Sequence, residues 1–217
     1  MPLLRVVFRL QYLTVFVEEM RPRDHDATHL VKAVKGRPLN PRQYSNVSID
    51  GKTIPIRDGN KERALEWFAE WAVPIVDSHA KGRKVLIPIP SSKTVAASPD
   101  DFRTALIARA IAEKCTSSVV VAPILRWSKT MPSASEEGGS RDPRVLYPNL
   151  LLISGIPSGA CILIDDVTTS GGHLIAAAWK LADVKREVSL AICCGCTTHE
   201  QLDDPFSVPD MTLDISR

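Results

Sequence analysis

The chain has 217 residues, 44% of them apolar and 24% charged, with a formal net charge of +2. These values are ordinary for a globular protein with one sizeable core and exclude disorder as the starting assumption. The near-neutral charge argues against a large nucleic-acid face while leaving room for a local basic patch, and no apolar run of about 18 residues offers a transmembrane helix.

Residues 1–20, MPLLRVVFRLQYLTVFVEEM, are apolar but interrupted by Arg5, Arg9 and Gln11. They lack the charged n-region and small-residue cleavage site of a secretory signal, so a cytoplasmic location is expected. Within them, residues 5–17 alternate loosely as a strand. DHDATHLVKAVKG (24–36) predicts a short helix with Asp26 near its start and Gly36 as its C-terminal cap. Asp50-Gly51, between two β-prone runs, predicts a two-residue hairpin. These small elements are expected to form a separate cap over residues 1–59, ahead of a main domain over 60–217.

From residue 60 the rhythm changes. Asn60 is placed to cap a helix reaching about Ala80, with Leu65, Phe68, Ala72 and Ile75 on one face and a kink at Pro74. KVLIPIP (84–90) reads as an apolar strand. SPDDFRTALIARAIAEK (98–114) reads as a helix with Ser98 at the N-cap, Pro99 first inside it and Asp101 reaching back. SSVVVAPIL (117–125), NLLLI (149–153), CILID (161–165) and EVSLAICC (187–194) read as further strands, with a short last one at MTLDI (211–215). Wholly apolar strands alternating with helices predict the fold class: α/β, an open, mostly parallel sheet with helices on both faces.

Cys115, Cys161, Cys193, Cys194 and Cys196 make an odd count, three of them crowded together, which does not read as a disulfide framework. Cys194, Cys196 and His199 lack a fourth ligand for zinc, and VSLAICCGC reads better as a buried strand.

The chemistry concentrates in CILIDDVTTSGGHLIAAAWKL (161–181). Asp165 and Asp166 fall at the end of a strand, where open α/β sheets bind ligands. Thr168, Thr169 and Ser170 supply hydroxyls, Gly171 and Gly172 permit close approach, and the following helix start offers amides. Adjacent carboxylates repel phosphate but accept from a vicinal diol, so the stretch specifies a phosphorylated sugar. A plain capped turn accounts for one Asp and one Gly, but not for two acids, three hydroxyls and two glycines together.

ILIDDVTTSGG resembles the phosphoribosyl pyrophosphate motif of the type I phosphoribosyltransferases. It is not a nucleotide P-loop, since no Lys follows the glycines. His173 departs from the Thr or Ser usual in the family; its ring either donates to the same phosphate or faces solvent. The resemblance implies a pyrophosphate-holding loop, matched here by Ser91, Ser92, Lys93 and Thr94 after VLIPIP. It also implies a mobile loop closing over the substrate, matched by residues 126–148. That loop carries Arg126, Lys129, Arg141 and Arg144, with Arg144 the first choice for a catalytic contact and Arg141 the second; an ordinary solvated loop is the alternative. Residues 1–59 match the position of the family's small hood, which contacts the acceptor base.

IPIPSSK, TALIARAIA and the long loop are similar to the ComF branch, linked to competence and DNA uptake, without the cysteine pairs that bind zinc at the start of many ComF proteins. The resemblance implies a Mg²⁺-dependent transfer of a phosphoribosyl group to a nitrogen nucleophile. Asp165 and Asp166 would hold the ribose hydroxyls and meet Mg²⁺ only indirectly, through the sugar. Two alternatives stay open: a module that senses phosphoribosyl pyrophosphate or a nucleotide without turnover, and a ComF-like protein acting on single-stranded DNA. The absence of a dense Lys/Arg–aromatic stripe counts against the latter. The implied partners are a small-molecule substrate and, because the family commonly pairs, a second copy of the chain. No acceptor base is readable from residues 1–59.

Overall fold

A computed structural model of the chain describes residues 1–13, 20–132 and 139–217. The chain runs β1 (Leu3–Leu13), α1 (Pro22–Val34), β2 (Ser45–Ile49), β3 (Lys52–Ile56), α2 (Arg63–His79), β4 (Lys84–Pro88), α3 (Arg103–Lys114) and β5 (Val119–Val121). It continues with β6 (Leu125–Trp127), α4 (Pro143–Leu146), β7 (Leu150–Leu152), β8 (Ala160–Thr168), α5 (Gly172–Ala182), β9 (Val188–Thr198) and β10 (Met211–Asp214). Six strands form the main sheet in the order β10-β1-β9-β8-β4-β5. Only β10 is antiparallel to its neighbour; the other pairings are parallel. This is the expected α/β class. Among the described residues no helix is long and apolar enough to cross a membrane.

The strands are apolar on both faces because both faces are covered. On β8, Ile162 and Ile164 join the core under α1, α2 and α3. Cys161 and Leu163, one residue out of phase, join the core under α5, with Leu174 and Leu181. The hairpin is as expected: Asp50 and Gly51 both take positive φ (48° and 73°) between β2 and β3, the geometry a two-residue turn needs.

Several expectations need correction. Residues 3–13 are not part of a separate cap: β1 lies inside the main sheet, between β9 and β10. Its loose alternation reflects burial on both faces, with Leu4, Val6 and Phe8 in one core and Val7 in the other. Nor does packing break at residue 59, since Leu30, Val34 and Ile56 share a core with Ala64, Phe68 and Ala72. The rest of the expected first strand, residues 14–17, lies outside the described residues.

The α2 and α3 starts also move. Asn60 accepts from Arg57 N–H in a short turn, and α2 begins at Arg63. Ser98 Oγ accepts from Val95 N–H and Asp100 is drawn to Arg126, so α3 begins only at Arg103, with Phe102 at the N-cap. SSVVVAPIL is not one strand. Pro123 carries no amide for a ladder, and beyond it β6 leaves the sheet to pair antiparallel with β7 as a two-stranded ribbon.

Two crossovers define where a ligand fits. From β4 the chain passes through α3 to β5 on one side, and from β8 through α5 to β9 on the other. Strand order therefore reverses between β4 and β8, and the crevice beyond their carboxyl ends is the topological switch point at which open α/β sheets bind ligands.

Candidate functional site

β8 does not end at the acid pair; it runs on to Thr168, with Asp165 opposite Cys193 and Thr168 opposite Cys196. The pleat of a strand sends successive side chains to opposite faces. Asp165 goes under cover, 8% exposed, with its Oδ1 accepting from Asp166 N–H at 2.8 Å. Burial, reinforced by the neighbouring Asp166 charge, pushes the Asp165 carboxyl well above the usual carboxylate range. Asp166 is only half-buried and takes an ion pair at 3.5 Å from Lys35, the residue that caps α1. The two acids thus occupy unlike surroundings: Asp166 is the accessible acceptor, and Asp165 braces it from behind.

Thr168 is buried, Thr169 half-buried and Ser170 exposed, and none of their hydroxyls bonds to another described residue. The turn closes on Gly171 at φ +76°, the N-cap of α5, with no side chain capping the helix. The amides of Gly172, His173 and Leu174 are therefore without intrahelical partners and point out of a helix start.

What approaches the two glycines is protein. A Cβ on Gly171 would stand 2.3 Å from Leu213 Cδ1 of β10, and one on Gly172 would stand 1.9 Å from the Arg141 carbonyl oxygen. The second contact seats the far limb of the long loop against the start of α5. Burial lowers the His173 imidazole below its ordinary range, with Asp166 partly opposing that shift, and its ring meets Trp127 edge-on at 5.6 Å.

The second loop follows β4. Pro88 pairs with Ile164, and Ile89 N–H donates to the Ile164 carbonyl, so Ser91 emerges beside the acid pair. Ser91 and Thr94 close a turn through their backbones (2.8 Å) and their hydroxyls (2.8 Å). Thr94 is buried. Ser92 is half-buried and Lys93 exposed, and their side chains make no bond to other described residues.

Trp127, fully buried, joins the two loops. Its amide donates to the Thr94 carbonyl (3.0 Å), its Nε1 to the Pro90 carbonyl (3.3 Å), and its ring abuts His173. Neither Trp127 nor Lys35 is singled out by the sequence. Only the apolar strand before Trp127 and the helix cap at Gly36 mark their surroundings.

The loop cations separate. Arg126 is not a loop cation: it is fully buried in β6, paired with Asp100, bonded to the Pro123 and Leu125 carbonyls and stacked over Phe102 at 4.8 Å. Arg141 lies beside the start of α5 through its backbone, and Arg144 is exposed in α4; neither guanidinium has a partner among the described residues. The Arg141 backbone abuts the start of α5, and the side chains of both arginines are exposed. Lys129 is exposed, and the middle of the loop, residues 133–138, lies outside the described residues. Cys193, Cys194 and Cys196 are buried in β9, where burial pushes their thiols up.

No protein-family model matches the chain, and no curated protein matches it in sequence. Among solved structures it is similar to a hypoxanthine phosphoribosyltransferase from Staphylococcus aureus, at 12% identity and a TM-score of 0.36. That match covers 62% of each chain, so this chain spans less than two thirds of that protein. It is similar to an adenine phosphoribosyltransferase from Thermoanaerobacter pseudethanolicus at 12% identity, over 71% of this chain and 94% of that one, with a TM-score of 0.38. It is also similar to one from Trypanosoma brucei in complex with AMP, pyrophosphate and ribose-5-phosphate, at 13% identity, over 83% and 84%, with a TM-score of 0.41. At such identities and TM-scores, any functional reading rests on this chain's own residues.

Proposed function

We propose that the chain binds 5-phosphoribosyl 1-pyrophosphate in the β4–β8 crevice and transfers its phosphoribosyl group to a nitrogen nucleophile, releasing pyrophosphate. The observation that carries this reading is the meeting of two donor-bearing loops, Ser91–Thr94 and Thr168–Gly172, at one switch point beside an accessible carboxylate. Asp166 accepts from the ribose hydroxyls, with Asp165 behind it. The hydroxyls of Thr168, Thr169 and Ser170 and the amides at the start of α5 take the 5′-phosphate. Ser92, Lys93 and the turn amides take the pyrophosphate, and Arg141 adds charge from the long loop, ahead of Arg144.

The C1–oxygen bond to pyrophosphate breaks as the C1–nitrogen bond forms, through an oxocarbenium-like state. Little covalent chemistry falls to the protein; it positions the partners and offsets charge on the leaving group. No third His, Cys, Asp or Glu joins Asp165 and Asp166 to form a metal cage among the described residues. That donor set fits Mg²⁺ held mostly by substrate oxygens and water, reached by the two acids through the sugar. When bound in that way the ion supplies charge neutralisation at the pyrophosphate.

With Mg²⁺ and phosphoribosyl pyrophosphate, a panel of bases should give base-dependent pyrophosphate release. Asp166→Asn should weaken calorimetric binding of ribose 5-phosphate by about tenfold or more, the scale of one lost hydrogen bond to a charged group. Unaltered affinity in the double variant Asp165→Asn/Asp166→Asn would remove the diol role. Binding without release supports a second reading, a sensor of the same ligand. Neither result, with salt-sensitive binding to single-stranded DNA, would point to the ComF-like reading instead.

A further inference from the structure

We propose that Lys35 is a positioning residue of this site, holding the Asp166 carboxylate and offsetting its charge against a phosphorylated sugar. The inference rests on the sugar-phosphate reading of the crevice and adds to it a residue from the N-terminal region. Lys35 Nζ stands 3.5 Å from Asp166 Oδ1, across 131 positions of sequence. Both side chains are 23% exposed, so water screens the pair less than it screens a surface pair such as Arg5–Asp210, at 63% and 43%.

The end of α1 is built to hold Lys35 in place. Gly36 N–H donates to the Ala33 carbonyl and Arg37 N–H to the Lys32 carbonyl, the paired bonds that lock a helix terminus around a left-handed residue. Gly36 is that residue, at φ +70°. A Cβ there would stand 3.2 Å from the Arg103 guanidinium, which occupies the space beside it. From the first turn of α3, Arg103 donates to the Val34 and Ala33 carbonyls and pairs with Glu62 at 2.6 Å. The backbone that carries Lys35 is therefore fixed from α3, the helix that follows the Ser91–Thr94 turn.

The charge arithmetic gives Lys35 its use. A sugar phosphate is an anion, and the acceptor its hydroxyls need is also an anion. An ammonium on one oxygen of Asp166 lowers that repulsion and leaves the other oxygen for the sugar. Lys35 reaches Asp166 from the end of α1, on the face of the sheet to which the pleat directs Asp166.

The test is calorimetric titration of ribose 5-phosphate into the full chain and its Lys35→Met and Lys35→Arg variants. Lys35→Met should bind about tenfold more weakly than wild type. Lys35→Arg should recover most of that loss, and the deficit should shrink as salt is raised, because the repulsion it exposes is screened. Lys35→Met should also discriminate less between ribose 5-phosphate and its 2-deoxy analogue, a change that a merely structural ion pair would not produce. If wild type binds and Lys35→Met binds equally or more tightly, the role of Lys35 is overturned and the crevice reading stands. If wild type binds neither ribose 5-phosphate nor phosphoribosyl pyrophosphate, both are overturned together.

Discussion

Asp77 and Asp165 lie toward opposite ends of the same sheet, and their surroundings differ in kind. Asp77, near the end of α2, accepts from the amides and hydroxyls of both Thr116 and Ser117. Those bonds, the Ser117 hydroxyl foremost, hold its carboxyl far below the usual range. Asp165 accepts from one amide and is pushed the other way by burial. An open groove of about 930 Å³ runs past Asp77, Lys81 and Arg83 at the Asp77 end. Its one carboxylate is already saturated. The uncommitted hydroxyls, open amides and half-exposed acid are at the other end, and unspent hydrogen-bonding capacity marks a ligand site better than volume does.

The sharpest way to break the contrast is at Trp127, whose buried ring and hydrogen bonds to the Thr94 and Pro90 carbonyls tie the Ser91–Thr94 turn to His173. Trp127→Ala should cost about 3–5 kcal/mol in denaturant unfolding, as removal of a buried aromatic does. It should also weaken ribose 5-phosphate binding, since the ring contact with His173 and the bond to the Pro90 carbonyl are both lost. Trp127→Phe keeps a ring near His173 but loses the bond to the Pro90 carbonyl and part of the buried ring volume, so it should cost about 2 kcal/mol, less than alanine, and retain binding. Full binding by a folded Trp127→Ala variant would separate the two loops.

Asp77→Ala tests the saturated end. Losing this anchor of residues 116–117 should cost about 2 kcal/mol at neutral pH while leaving ribose 5-phosphate affinity unchanged. The sign of its pH dependence follows from a depressed carboxyl. The stabilisation is present above the ordinary value of 3.8 and is lost as pH falls below it toward the folded value. Wild type and variant should therefore converge in acid. A loss of ligand affinity in this variant would show that the two ends are coupled.

The same contrast explains what was legible in the sequence. Apolar runs bounded by turn residues located β4, β8 and β9, because burial on both faces leaves an unbroken pattern that composition reveals. The acid pair and its hydroxyls stood out because they follow an apolar run at a cost that packing does not explain. Position in the sheet was not legible for β1, whose partners β9 and β10 are supplied by residues about two hundred positions away. Arg126 looked like a free cation because its counter-charge, Asp100, and its ring partner, Phe102, come from another loop. Lys35 was hidden for the same reason: only the folded sheet brings α1 against β8. The glycines were recognised as sites of close approach, but Leu213 and the Arg141 backbone are the protein atoms that approach them.

The finest test of the comparison is Asp165→Asn, read by stability as a function of pH. In the unfolded chain this carboxyl ionises near 3.8, whereas the folded site holds its proton to higher pH. Between those two values the unfolded state carries fewer protons than the folded one, so stability falls as pH rises, until the folded carboxyl also ionises and the cost levels off. Asparagine retains the oxygen that accepts from Asp166 N–H and cannot ionise, so the variant escapes this cost. Its melting temperature relative to wild type should thus climb as pH is raised from about 4 toward neutrality. Asp77→Ala should show the opposite trend, with wild type gaining on the variant over the rise out of acid. A flat difference for Asp165→Asn between acid and neutral pH would mean that the carboxyl is as well solvated as any on the surface. The asymmetry between the two ends of the sheet would then have to come from the hydroxyls and amides alone.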